Sequence, residues 1–366
     1  MQYDLSVDIH KAYKEARRHK RNTINQLHFE ANLESGELEL AGLLQNRQYE
    51  LLPSICFINK EPVKREIIAA NFRDRVCHHL LYNWIYPIFD RQFIYDSYSC
   101  RIGKGTLFGI ERARNYMISE SDNFKREAFV LRLDISGFFM SIDRDILYSL
   151  IIKGLDKMHW KGVPDKSLAT YLIHKFVYND PLKDAIYRSP KEDWDDLPLN
   201  KTLKGTPPNC GLPIGNLTSQ LFGNIYLNQL DHFIKRTLKI RCYGRYVDDM
   251  YLIHRDKEVL KRAVPQIRDY LKNELKLTLH PKKIYLQPVT NGFPFLGAFI
   301  LPHRIYPGRR IVGNFRNVIL KPDKDEAKQA NRITSYKGLF SHFDCNKMTK
   351  KCIRERGLTK VLTKPQ

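Results

Sequence analysis

Asp248 and Asp249 stand side by side in "YVDD", inside the longer run "RCYGRYVDDMYLIHRD". Strand interiors are depleted in Asp, and like charges in contact repel. At its simplest such a pair is a hairpin turn, because Asp tolerates turn backbone and bonds its own main chain. A third carboxylate, Asp134, closes the strand-like "AFVLRLD". If the strands carrying these residues are neighbours in one sheet, three carboxylates converge at its edge, which is costly unless a cation neutralises them. Hard oxygen ligands of this kind suit Mg²⁺. Two such ions about 3.5–4 Å apart can activate an attacking hydroxyl and stabilise the leaving oxygen of an in-line phosphoryl displacement. Adjacent strand residues point to opposite faces, so Asp248 and Asp249 need not be equal ligands, and Asp248 is expected to be the principal one.

The elements around these residues read as follows. Residues 1–50 are helical and polar, and "LLPSICFINKEPVKREI" is extended and basic. Val76, Leu80, Trp84 and Ile88 recur at i+4, with Leu81 and Ile85 widening the stripe, which predicts a helix. "SYSCRIGKGT" is a Gly-punctuated basic turn before another helix; it lacks the GxxxxGK[ST] phosphate-loop spacing. Gly103 and Gly105 either let backbone amides approach a phosphate or form a simple turn. A strand ends at Asp134, and Ser141 or Asp143 caps the helix that follows. Residues 155–210 are the least readable. "GNLTSQLFGNIYLNQLDHFIKRTL" is a long helix with two apolar stripes, hence buried on more than one side. The YVDD hairpin, the helical "DKEVLKRAVPQIRDYLKNEL" with Pro265 near a kink, and a strand-like "FPFLGAFI" complete the order β, α, α, ββ, α, β. That order fits an α+β fold, a sheet covered by helices on one face.

Composition narrows the classes. The 366 residues carry 61 Lys and Arg against 40 Asp and Glu, a net charge of +21, which suits a polyanionic partner, most economically nucleic acid. Residues 301–366 hold 16 Lys/Arg and 5 Asp/Glu, about half of the excess. An anionic membrane surface would also attract that charge, but no basic helix with a clean apolar face is legible. The 7 cysteines lack CxxC spacing, and the 12 histidines include no HExxH, so neither a disulfide framework nor a zinc site is indicated. No signal-peptide core and no membrane-length apolar run is present, and an intracellular, soluble protein is expected.

Here the residues carry a resemblance. "LRLDISGFFMSID" is similar to the first catalytic motif of reverse transcriptases, especially those related to group II introns, and "YVDD" resembles their tyrosine-x-Asp-Asp box. "VKREI", "GLPIGNLTSQLFGNIYLNQLD", "LTLHPKKI" and "FLGAFI" follow in the family's order and spacing, so six collinear motifs span roughly residues 55–300. The resemblance implies a right-hand polymerase. Its parts would be helical fingers (1–128 with part of 165–210), a ferredoxin-like antiparallel palm (129–300), and a short basic helical thumb and tail (301–366). It implies that Asp134, Asp248, Asp249 and the Ile135 carbonyl hold two Mg²⁺ ions, for which Mn²⁺ can substitute. It places Lys64 and Arg65 on the incoming triphosphate and Phe139 as the steric gate against a ribose 2′-hydroxyl, with Phe138 the better core candidate. Lys283 matches the lysine that assists pyrophosphate departure, although Lys282 is easily confused with it, and "FLGAFI" matches the primer grip.

The subfamily follows from finer departures. Intron and retroviral enzymes generally have Gln where Ile214 stands and Ser-Pro where this chain has Ser219-Gln220. "IGNLTSQ", "RDRVCHHLLYNWIYPIFD" and "SYSCRIGKGT" resemble reverse transcriptases of diversity-generating retroelements. The resemblance implies mutagenic copying of a template RNA with errors at adenines. It also implies template RNA, a primer or cDNA strand and dNTPs as partners, with a basic oligomeric accessory protein in a ribonucleoprotein. A cytoplasmic location, bacterial, archaeal or phage-encoded, is expected. A defence-associated or intron-derived bacterial reverse transcriptase is the rival. A nucleotidyl cyclase shares paired acids but predicts neither basic fingers nor a gate; a noncatalytic nucleic-acid-binding scaffold leaves the three aspartates unexplained.

Overall fold

The computed structural model describes residues 4–18, 22–60, 63–156, 166–321, 323 and 325–346. In chain order the helices α1 (Leu5–Arg17), α2 (Ile24–Ala31) and α3 (Leu33–Gln45) precede strands β1 (Ile55–Asn59) and β2 (Arg65–Ala69). Helices α4 (Phe72–Asp90) and α5 (Thr106–Glu120) lead to β3 (Phe129–Asp134), α6 (Phe138–Ser141), α7 (Arg144–Asp156), α8 (Lys166–Val177) and β4 (Ile186–Tyr187). After three 3₁₀ turns come α9 (Leu217–His232), β5 (Cys242–Tyr246), β6 (Asp249–His254), α10 (Lys257–Leu275) and β7 (Tyr285–Pro288). The short strands β8 (Phe293–Phe295), β9 (Ala298–Ile300) and β10 (Ile305–Pro307) and helices α11 (Arg309–Leu320) and α12 (Glu326–Phe340) complete the described chain. The mixture is α+β, as expected.

Two compact units share these elements. The first comprises Met1–Cys100, Ile135–Thr237 and Pro265–His280. Here α4 packs against α1 and α9, and α7 against α8 and α9. The predicted stripe of α4 is buried at Val76, Leu80 and Trp84 and half-buried at Ile88. Of the two candidate caps for α7, Asp143 is the one that acts: its carboxylate accepts from the Asp145 and Ile146 amides, each at 3.0 Å. Helix α9 is buried on several sides, with Leu221, Ile225, Tyr226, Leu227 and Leu230 all inside, as its two stripes require. β1 and β2 form an antiparallel hairpin, and β4 runs parallel to β1. Helix α10 runs unbroken through Pro265.

The second unit comprises Arg101–Asp134, Leu238–Val264 and Pro281–Gln366. Its main sheet is antiparallel in the order β5-β6-β3-β7, with α5 against β5 and β6. Tyr251 of β6 is buried edge-on to Phe295, ring centroids 5.0 Å apart. Two expectations are corrected here. "FPFLGAFI" is not one strand but the β8–β9 hairpin, because Leu296 (φ 49°) and Gly297 (φ 83°) both take left-handed backbone and reverse the chain. A basic helix with a clean apolar face does exist: α11 exposes Arg309, Arg310 and Arg316 and buries Phe315, Val318 and Ile319. That apolar side is covered by α12, where Phe340 meets the Phe315 ring edge-on at 4.9 Å. No helix among the described residues is long and apolar enough to cross a membrane.

Candidate active site

The YVDD segment is a two-residue hairpin turn. β5 ends at Tyr246, β6 begins at Asp249, and the two residues pair across the strands. Val247 and Asp248 form the turn, and Val247 has φ 55°. A β-branched residue with left-handed backbone is strained, and strain of this kind persists only where the surroundings impose it. The same register sets Asp249 directly opposite Asp134 on β3, with Arg132 opposite Tyr251. Cross-strand partners share a face, so two carboxylates of different strands stand together at the end of the β3–β6 pair. The partner of Asp134 is thus Asp249, while Asp248 occupies the turn.

Two cations of the chain answer this charge. Lys283 Nζ donates to Asp134 Oδ2 at 2.8 Å, which distinguishes it from its neighbour Lys282 at this contact. Arg132 Nη2 reaches Asp249 Oδ1 at 3.4 Å, and its Nε is buried with no hydrogen-bond partner. Burial pushes the Asp249 carboxyl up to about 6; Arg132 opposes the shift, the Asp134 charge adds to it, and Lys283 opposes it. Among the described residues no three His, Cys, Asp or Glu side chains form a metal-holding group. The donor chemistry still fits a hard dication: two facing carboxylates, one destabilised as an anion by burial, gain most from added positive charge. Ile135, the next residue, is 1% exposed, and its backbone forms a bridge with Leu279.

The remaining predicted residues lie in the first unit. Lys64 precedes β2 and Arg65 opens it, half-buried and exposed respectively, and neither forms an ion pair with a described residue. Phe138 is buried and Phe139 only partly so. Both rings lie against Gly223 of α9, where a Cβ would come within 3.2 Å of Phe138 and 3.3 Å of Phe139. Phe139 and Ile214 pack on the margin of one apolar cluster of Cys56, Ile68, Met140 and Leu203. The backbone ties them further: Leu212 N–H donates to Phe139 O, and Ile68 N–H to Ile214 O, each at 2.8 Å. Gly215, at φ 136°, allows this approach, since a Cβ there would lie 3.0 Å from Ile68 O.

The structure therefore brings Asp134, Asp249 and Lys283 together, and Phe139 with Ile214, each group inside one unit. Sequence reasoning passed over Arg132 and Glu66. Both carried a signal: a second charged residue within a short, otherwise apolar strand, Arg132 two residues before Asp134 in "FVLRLD" and Glu66 directly after Arg65 in "REIIA".

Residues 58–300 match the family described as reverse transcriptase (RNA-dependent DNA polymerase). Protein YkfC of Escherichia coli strain K12 is 22% identical over 326 residues, covering 80% of this chain and 77% of that protein. Apo telomerase from Candida tropicalis gives a TM-score of 0.49 at 11% identity, over 78% of this chain and 52% of that chain. Its form truncated from the C-terminal domain gives 0.47 at 13%, over 74% and 59%. Telomerase from Candida albicans in complex with a fragment of telomeric RNA gives 0.46 at 12%, over 85% and 60%. The chain thus spans less than two thirds of each of these telomerase chains. The family match covers more than half of the sequence and contains Asp134, the YVDD turn and Lys283, and the chain belongs to the reverse transcriptase family.

Proposed function

We propose that this chain is an RNA-directed DNA polymerase that builds cDNA on a template RNA by two-metal nucleotidyl transfer, in a diversity-generating retroelement that miscopies template adenines. The observation that carries the reading is the cross-strand pairing of Asp134 with Asp249 inside the span that matches the family. Asp134, Asp248, Asp249 and the Ile135 carbonyl would hold two Mg²⁺ ions, or Mn²⁺ in their place. Such ions, when bound, supply the positive charge that an attacking 3′-hydroxyl and a departing pyrophosphate need. Lys283, now on Asp134, is free of formal partners once that carboxylate is neutralised otherwise, and is then available to donate a proton or charge to pyrophosphate. Lys64 and Arg65 bind the triphosphate, Arg65 through its planar fork. Phe139 excludes the ribose 2′-hydroxyl by bulk. Residues 1–128 with part of 165–210 serve as fingers, 129–300 as palm and 301–366 as thumb and tail. A basic oligomeric accessory protein joins through RNA, since like net charge disfavours direct contact and a polyanion between the two basic chains removes that repulsion.

The test is primer extension on a defined RNA with dNTPs and Mg²⁺. Asp134→Asn and Asp248→Asn keep shape and remove charge, so synthesis falls roughly a thousandfold, as expected for losing several kcal/mol of charge stabilisation, while RNA binding persists. Extension by Asp248→Asn within about tenfold of the wild-type rate would sink the assignment. Sequencing the cDNA, with accessory protein and native template RNA supplied, tests the subclass: errors that are rare and indifferent to template base favour the defence-type or intron-derived alternative.

A further inference from the structure

Glu66 follows Lys64 and Arg65 on β2 and is 1% exposed. Strand alternation turns Arg65 outward and Glu66 inward. A carboxylate is expensive to bury unless its oxygens are satisfied. Glu66 makes no ion pair with a described residue; three neutral donors hold it instead. Trp194 Nε1 and Thr202 Oγ1 each donate to Oε1 at 3.0 Å, and the Leu203 amide donates to Oε2 at 2.8 Å. All three donors belong to the irregular segment between β4 and α9. Pulling that segment from β2 would leave a buried charge without partners, so its place on the hairpin is fixed.

The same segment forms the bed on which the Phe139–Ile214 patch rests. Leu203 is one of the four buried members of the cluster, and Trp194, like Phe139 and Ile214, packs against it. Trp194 is thus held at one end by Glu66 and presses on the cluster with its ring. Thr202 additionally accepts from the Lys204 amide at 3.2 Å, which closes the 3₁₀ turn that carries Leu203. We propose that Glu66 is a positioning residue and that Trp194 and Thr202 are specificity-determining residues. By clamping the segment they set how far Phe139 stands from an incoming sugar and how firmly Ile214 is backed. The inference rests on the polymerase reading of Phe139, and adds that the gate is as stiff as the packing behind it.

The experiment compares rNTP and dNTP incorporation by the full chain on a primed RNA. Thr202→Val preserves shape and removes the donor to Glu66 together with the acceptor of the Lys204 amide; Trp194→Phe keeps a ring and removes only a donor to Glu66. Each is expected to raise the rNTP:dNTP ratio of kcat/KM by roughly threefold to tenfold, the size of effect one ordinary net hydrogen bond can transmit, while kcat with dNTPs stays within about twofold. In a Phe139→Val background Thr202→Val should add nothing, because the gate it steadies is gone. A lower melting temperature with rNTP and dNTP rates falling in parallel would make Glu66 a structural pin only, and overturn the proposal; so would full additivity with Phe139→Val. Thr202→Val decides alone if Trp194→Phe does not fold. A wild-type chain that fails to extend a primer removes the polymerase reading itself, whereas an active wild type with unchanged ratios in the variants removes this inference alone.

Discussion

Asp134 and Asp249 are direct cross-strand partners at the end of the β3–β6 pair. Two carboxylates in that relation repel, and the molecule offsets the repulsion with Lys283 on the first and Arg132 on the second.

A pH prediction follows from Asp249. Its carboxyl is raised from 3.8 to about 6, chiefly by burial, so the folded chain holds this proton more tightly than the unfolded one. Stability should therefore fall as pH rises from about 4 to about 6 and stay reduced above that. Two pKa units correspond to at most about 3 kcal/mol, less whatever solvent screening removes. In EDTA, Asp249→Asn should raise the melting temperature at pH 8, and the gain should vanish as pH falls through about 4. Added Mg²⁺ should stabilise the wild type more at pH 8 than at pH 5. An Asp249→Asn protein less stable than wild type at pH 8 in EDTA would contradict the burial account.

The two adjacent phenylalanines should separate stability from selectivity. Phe138 is 3% exposed, and its truncation to Ala should cost about 3–5 kcal/mol in urea unfolding. Phe139, on the cluster's margin, should cost less when shortened to Val but should admit ribonucleotides. If rNTP:dNTP ratios do not move in Phe139→Val, the gate lies elsewhere.

How much of this was legible beforehand depends on where the ordering forces act. β3 ending at Asp134, the buried stripe of α4 and the double-sided α9 are written in local periodicity, and each stands where the pattern put it. The segment between α8 and α9 has no period because long-range partners order it: β4 along β1, and Trp194, Thr202 and Leu203 on Glu66. The pairing of Asp249 with Asp134 was hidden for a different reason. It depends on a two-residue turn with Val247 in left-handed backbone, which valine's sequence preferences argue against. Leu296 concealed the β8–β9 turn in the same way. Arg354 and Arg356, two of the basic residues in the 301–366 segment, lie outside the described residues.

Helix α11 carries the salt prediction. Arg309, Arg310 and Arg316 are exposed, and none forms an ion pair with a described residue. If they lie along a template–primer backbone, each neutral substitution should flatten the slope of log affinity against log salt by about 0.7–0.9 for every phosphate it leaves unneutralised. Fluorescence anisotropy with a primed RNA at several salt concentrations reads this directly. Weaker binding with an unchanged slope would place these arginines against a protein partner instead.

Ile214 carries the fidelity prediction. Its side chain is half-buried on the apolar cluster, and its carbonyl accepts from the Ile68 amide. The position is therefore fixed by backbone and packing, and exchanging the side chain should leave the loop in place. Isoleucine offers neither donor nor acceptor, whereas the resemblance places Gln here in intron and retroviral enzymes. A Gln in this frame could restrain the nascent pair with one hydrogen bond, worth about 0.5–1.5 kcal/mol net. Because about 1.4 kcal/mol changes a discrimination ratio tenfold, Ile214→Gln should lower misincorporation by roughly twofold to tenfold. Ile214→Leu, equally apolar, should leave it unchanged and so controls for packing. The measurement is cDNA sequencing from a defined RNA, read separately at each template base. An error rate that drops equally in both variants would trace the effect to the shape of the cluster, and one that drops in neither would remove Ile214 from the account of fidelity.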